Sequence, residues 1–222
     1  MRKMLKKATV TGAVTLFLLA VVSSARADNL QLFTTRAAFG GDDMVDWGQL
    51  GPCMTIIPGG FFARSTVLGL NLNGYFAGPG TGEVRVQTLC SWGGNFASGD
   101  VVVWTHMPGQ GPLNLQFCEP LAGAGAQIQA DFFGPFTARI EVFNGNTSLG
   151  AFTEDGNSTG AGDNSAIFIG VKDLDGANIT SVIFSLTVAF SDPADFAINK
   201  LALDSGRPSP APDGNPSTAS GE

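Results

Sequence analysis

The residues best suited to chemistry are few: three aromatic rings, a pair of aspartates and the cysteines. Trp92, Trp104 and Tyr75 offer ring faces on which the apolar C–H face of a sugar can stack. Because indoles also favour burial, packing of each Trp into a core is the simpler alternative. Asp46 and Asp195 lie early and late in the chain, with Asp42 and Asp43 near the first of them. Their carboxylate oxygens suit a hard cation, so they are the candidate ligands of a structural calcium. Cys53, Cys90 and Cys118 permit one bridge and leave one thiol. Cys90 and Cys118 each end an apolar run, which makes them the expected pair. A thiolate nucleophile would need His106 or a cationic neighbour to lower its pKa, and nothing beside any cysteine supplies one.

Other chemistries find no residues to carry them. The single His and three Cys exclude zinc fingers and multi-His metal sites. There is no Gly-x-Ser-x-Gly elbow, no His-Glu-x-x-His, no P-loop and no dinucleotide fingerprint after a strand. Asp173-Leu174-Asp175-Gly176 has the centre of an EF-hand loop, but that frame puts Val171 and Val182 at the first and last ligand positions. Neither can coordinate, so the segment reads as an Asx-rich turn. A carboxylate pair of the glycosidase kind can be drawn from 19 acids, but no spacing marks it.

Charge sets further limits. Of 12 basic residues, Arg2, Lys3, Lys6, Lys7 and Arg26 precede Asp28, and every acid lies at or after it. From Asp28 onward 7 basic residues face 19 acidic ones, a balance of −12. Nucleic acid and anionic membranes demand a basic face, so neither is an expected partner.

The elements that must position these residues follow a period of two. Thr137 to Phe143 alternates Ala138, Ile140 and Val142 with Thr137, Arg139 and Glu141. Asn144-Gly145 then closes a hairpin onto Ser148 to Phe152. Thr180 to Val188 repeats the alternation, and 84–89, 101–105, 113–117, 167–171 and 196–203 are further short runs. One short helix is predicted near the start, over Thr34 to Phe39, capped by Thr34 or Thr35 and ended by Gly40-Gly41. The fold class is therefore all-β, an antiparallel, jelly-roll-like β-sandwich with one short N-terminal helix.

Residues 1–27 read as a secretory signal: a basic start, an apolar Val10–Val22 and Ala25-Arg26-Ala27 at the cleavage point. The sandwich is expected over residues 28–204. Residues 205–222, rich in Pro and Ser, carry no apolar partners and read as a disordered tail. Export makes a disulfide stable.

Several segments carry a family likeness. They are Leu32–Phe39 with Val45-Asp46-Trp47-Gly48, Gly111–Phe117, Phe136–Gly150, Phe168-Ile169-Gly170-Val171 and Asp195–Leu201. Together they resemble the β-sandwich domain of exported bacterial proteins that end in a PEP-CTERM sorting tail. The resemblance implies a matrix, envelope or surface component without an assigned activity. After Leu203 there is no Pro-Glu-Pro motif, apolar span or basic end, which implies a secreted or periplasmic chain without a membrane anchor once the signal is cleaved. The expected function is a non-catalytic exported binding or structural protein, with extracellular polysaccharide or envelope components as partners. A polysaccharide hydrolase using paired carboxylates and a calcium-stabilised structural protein are the alternatives.

Overall fold

A computed structural model describes residues 29–77, 80–106, 111–189 and 195–208. The expected signal at residues 1–27 and the expected tail beyond residue 208 lie outside the described residues. In chain order the first strands are β1 (Leu30–Phe33), β2 (Asp43–Val45), β3 (Ile56–Ile57), β4 (Gly60–Arg64) and β5 (Asn71–Phe76). The middle of the chain forms β6 (Gly82–Gln87), β7 (Ser91–Trp92), β8 (Val101–Trp104), β9 (Leu113–Leu121), β10 (Gly123–Ala130) and β11 (Gly134–Asn144). Then follow β12 (Thr147–Ser158), β13 (Ile167–Asp173), β14 (Ile179–Ala189), β15 (Phe196–Ile198) and β16 (Leu201–Asp204).

These strands make two sheets packed face to face. The ten-stranded sheet runs β1-β13-β10-β15-β8-β6-β3, with β16 and β2 beside β10 and β7 beside β6. The six-stranded sheet runs β12-β11-β14-β9-β5-β4. Pairing is antiparallel except between β6 and β7. The chain is thus an all-β sandwich.

The alternation along β11 is realised as expected: Ala138, Ile140 and Val142 are fully buried, and Thr137, Arg139 and Glu141 face outward. Val182 and Phe184 of β14 join them in the core between the sheets, opposite Ile128, Ile169, Val171 and Phe196. The short helix α1 (Arg36–Phe39) also forms. Thr35 Oγ1 accepts from the Ala38 N–H, and Gly40 ends the helix at φ +56°, a conformation that glycine adopts without strain.

The hairpin turns one residue later than the Asn-Gly pair suggested. Asn144 pairs with Thr147, so Gly145 and Asn146 form the two-residue loop, with Gly145 at φ +57°. The return strand also continues to Ser158, well past Phe152. Gly150 and Gly156 break its apolar pattern without breaking the strand. Gly156 lies opposite Phe136, whose ring occupies the space a Cβ would take. The same device recurs where Phe61 covers Gly74 and where Phe76 covers Gly82.

β10 has no alternation to read, since Gly123, Ala124, Gly125, Ala126 and Ile128 are all buried. Its small residues answer a close approach. A Cβ on Gly125 would lie 2.5 Å from the Cα of Gly170, its partner on β13. The backbone cannot yield as a side-chain tip would.

The disulfide corrects the expectation of a Cys90–Cys118 bridge. Cys53 is joined to Cys90 across a Cα–Cα distance of 6.3 Å, and Cys118 is an exposed free thiol. The reason is topological. Cys118 lies on β9 of the six-stranded sheet, whereas Cys90 follows β6 of the other sheet.

Gly125→Ala is expected to destabilise the fold by about 2 kcal/mol in urea unfolding. Gly93→Ala, where nothing lies within 4 Å of the added carbon, serves as the control and should change little. Replacing Cys53 and Cys90 by Ser should cost about 4 kcal/mol, since the bridge closes a segment of separation 37. Cys118→Ser should leave stability unchanged, and peptide mapping without reductant should recover a Cys53–Cys90 pair.

Candidate functional site

Both sheets spend one face on the common core, so a site depends on what covers the other face. On the ten-stranded sheet that outer face is roofed in two places. Phe39 of α1 lies on Phe168, with Phe33 and Ala202 beside it. Next to it, Trp92 and Phe96 close over Val102, Trp104, Ala166 and Ala197.

A polar network pins this second roof. Gln87 bonds the backbone of Gly94 in both directions, and the Asn95 N–H donates to Gln129 Oε1 at 2.7 Å. Asn95 Nδ2 donates to Thr159 and Ser165, and its Oδ1 accepts from the Thr159 N–H. Trp92 and Trp104 are therefore brought together, with ring centroids 6.2 Å apart, but under cover. Their exposures of 6% and 9% leave neither indole able to act as a stacking platform. Residue type alone could not reveal this, because the roof is built from segments distant in sequence.

Tyr75 meets the opposite fate. It stands on the outer face of the six-stranded sheet at 41% exposure, where no helix or loop roof comparable to those on the other sheet covers it among the described residues. Register places its neighbours in two rows across the strands. One row runs Phe62, Asn73, Gln116, Ser181 and Phe143. The other runs Tyr75, Asn114, Ile183 and Glu141.

The first row spans four inter-strand spacings, roughly 19 Å. Two adjoining depressions of about 270 and 220 Å³ lie on it and share Gln116, Gly145, Asn146 and Ser181. Asn114 Oδ1 is buried in this floor and accepts no hydrogen bond among the described residues. The surface combines planar amides and a hydroxyl with exposed rings at Phe62 and Tyr75, the former 56% exposed. Such a strip can hydrogen-bond ring hydroxyls and stack on sugar faces. The legible signal was Asn-x-Asn-x-Tyr over Asn71–Tyr75 and Asn-x-Gln over Asn114–Gln116, amides on the polar phase of a strand.

The expected calcium ligands do not converge. Asp46 Oδ1 accepts from the Gly48 N–H and caps a short 3-10 turn at Trp47–Leu50. Trp47 Nε1 donates to the Asn199 carbonyl, so Asp46 sits near the end of the Phe196–Lys200 run, while Asp195 sits at its start. Asp43 is occupied by the N–H groups of Met44, Val67 and Leu68. Burial alone would raise its pKa, but Ser65 and those N–H groups hold it below the usual carboxylate value. Asp42 is held by Ser205. Among the described residues no group of three His, Cys, Asp or Glu side chains is placed to hold a metal. Asp173 closes the expected Asx turn, accepting from the Asp175 N–H and from Asn178.

A different acidic arrangement lies at one end of the ten-stranded sheet. Glu83 is nearly buried and bonds Arg85 at 2.9 Å, with His106 Nε2 at 3.4 Å. Arg85 lies over Trp104 at 4.8 Å. Asp131 and Asp195 are joined there through the Asp131 N–H to Asp195 carbonyl bond. Burial and the neighbouring Asp195 charge push the Asp131 pKa up to about 6, against the opposing pull of Arg85 and His106. Asp195 itself is enclosed at 1% exposure. Neither acid lines the depressions on the six-stranded sheet.

Comparison of the chain with protein-family models, with curated proteins and with solved structures finds no match.

Because the folded state raises the Asp131 pKa, its contribution to stability is full below pH ~4, the unfolded value. It is then lost as pH rises through about 6. Asp131→Asn should therefore be more stable than the parent at pH 7.5, by about 1 kcal/mol once solvent screening is discounted, or ~3 °C in Tm. The two chains should melt closer together at pH 3.5.

Proposed function

We propose that the chain is an exported, non-catalytic β-sandwich that binds polysaccharide on the open face of its six-stranded sheet and serves as an envelope or matrix component. The observation that carries this reading is the amide strip Asn73, Asn114 and Gln116 on the outer face of that sheet, with the exposed rings of Phe62 and Tyr75 standing out from it. Amides and hydroxyls suit the vicinal hydroxyls of sugars, and the rings suit their C–H faces. The Cys53–Cys90 bridge fits an oxidising compartment, in keeping with the signal-like start of the chain. The resemblance to domains of sorted bacterial surface proteins supports the same role.

Hydrolysis by paired carboxylates draws less support. Asp131 and Asp195 neighbour each other on the other sheet, and Asp195 is too enclosed to meet a substrate in this conformation.

The test is a glycan array followed by titration of the best polysaccharide. Tyr75→Ala and Phe62→Ala should each weaken binding by about 30-fold, the effect of truncating an aromatic anchor worth ~2 kcal/mol. Trp92 is enclosed and Trp92→Phe should bind as the parent does. An array without a polysaccharide ligand, or unchanged affinity in both aromatic variants, would refute the reading.

A further inference from the structure

A groove of about 420 Å³, larger than either depression described above, opens on the outer face of the ten-stranded sheet. Thr34, Arg36, Gln127, Asn164, Ser165 and Phe168 line it. Arg36 is its only charged lining residue.

The guanidinium is held firmly but incompletely. Its carbon lies 5.2 Å from the centre of the Phe168 ring. Nη2 donates to Asn199 Oδ1 at 2.9 Å and to the Lys200 carbonyl at 2.7 Å. Asn199 is itself fixed, since its Nδ2 donates to Gln127 Oε1 at 2.6 Å and to Asp100 Oδ2 at 3.0 Å. Nε and Nη1 of Arg36 donate to no described residue, and neither is sealed from solvent. The Thr34 hydroxyl and Asn164 Nδ2 are likewise uncommitted among the described residues.

Arg36 is also unusual in its charge balance. Arg85, Arg139, Lys172, Lys200 and Arg207 each contact a carboxylate. Among the described residues Arg36 does not, in a chain whose balance from Asp28 onward is −12. The other exception, Arg64, is exposed and donates to the Gly69 carbonyl. Burial disfavours the Arg36 charge, and Asp100, reached through Asn199, offsets only part of this. A half-buried guanidinium with uncommitted N–H groups is a ready partner for a carboxylate, which it meets through a charge-assisted N–H···O bond.

We propose that this groove binds the carboxylate of an acidic sugar residue, with Arg36 Nη1 on the carboxylate and Thr34 and Asn164 on ring hydroxyls. The surplus of acids elsewhere repels densely charged polyanions. The ligand class is accordingly a largely neutral polysaccharide carrying isolated uronic acid residues. The inference rests on the reading of the chain as a polysaccharide binder and adds a second contact to it.

D-glucuronic acid, its methyl ester, glucose and acetate serve as probes in NMR titrations of the purified chain at pH 7. Glucuronate should bind at least about tenfold more tightly than its ester, glucose or acetate, because only it presents both the carboxylate and the ring. Arg36→Gln should lose that preference. Equal binding of glucuronate and its ester to the parent chain overturns the proposal without recourse to any variant, and so does an absence of glucuronate binding. Acetate competing as well as glucuronate overturns the sugar half of it. The Tyr75→Ala variant should keep glucuronate binding. If the neutral-polysaccharide reading fails on its own, glucuronate binding survives while neutral chains are not bound.

Discussion

The two layers are held together by one apolar interface. Leu115, Ile140, Val142 and Phe184 on the six-stranded sheet share a buried core with Ile128, Ile169, Val171 and Phe196 on the ten-stranded sheet. Water leaving these side chains supplies the dominant favourable term of folding. It also fixes the orientation of every strand, because a shift of one residue would turn each apolar row outward. All surface properties follow from this constraint. Once Ile140 points inward, Arg139 and Glu141 must point out, and once Leu115 points inward, Asn114 and Gln116 must line the opposite face.

The outer faces then diverge. The ten-stranded sheet carries Phe168, Val102 and Trp104 outward and needs a cover, which α1 and the Trp92–Phe96 segment provide. Their attachment is polar as well as apolar. Gln129 accepts from the Asn95 N–H, and Asn95 accepts from the Thr159 N–H, so backbone groups of the roof and of the β12 end are satisfied by these amides. The six-stranded sheet carries amides, hydroxyls and two exposed rings outward and needs no cover. An antiparallel sheet tolerates water on one face, and that tolerance makes a binding surface available. Arg36 sits at the margin of the first roof. Its anchoring to Asn199 and the Lys200 carbonyl stitches α1 to the last strands, and the residue lines the groove.

Much of the fold was legible, and the exceptions have physical causes. β11 and β14 show apolar alternation and form where it predicts, and the short runs at 113–117 and 167–171 lie within the longer β9 and β13. β10 is the main omission. It lies between close neighbours on both sides and faces a layer above and below, so it is built from Gly and Ala, which carry no periodic signal. β4 and β5 were missed because Gly60, Gly74 and the Asn residues resemble turn signals, although Phe61 fills the space above Gly74. The last run divides into β15 and β16 at Asn199-Lys200, where the chain passes from pairing with β8 to pairing with β2. Of the three rings singled out for ligand contact, only Tyr75 lies on an open face. Its register partner Asn114 lies on β9, far from it in the chain, as does Gln116 in the adjoining row.

The amino-acid sequence by itself determined the all-β class, the alternation of inward and outward residues, the short capped helix and the presence of a disulfide-competent cysteine set. These are local properties, set by side-chain size, polarity and spacing along one strand or turn. Only the tertiary structure decided which cysteines meet, which tryptophans are roofed over, and which polar side chains line up across strands into one surface. Those outcomes depend on strand order and register, which bring together residues far apart in the chain according to how the whole core packs.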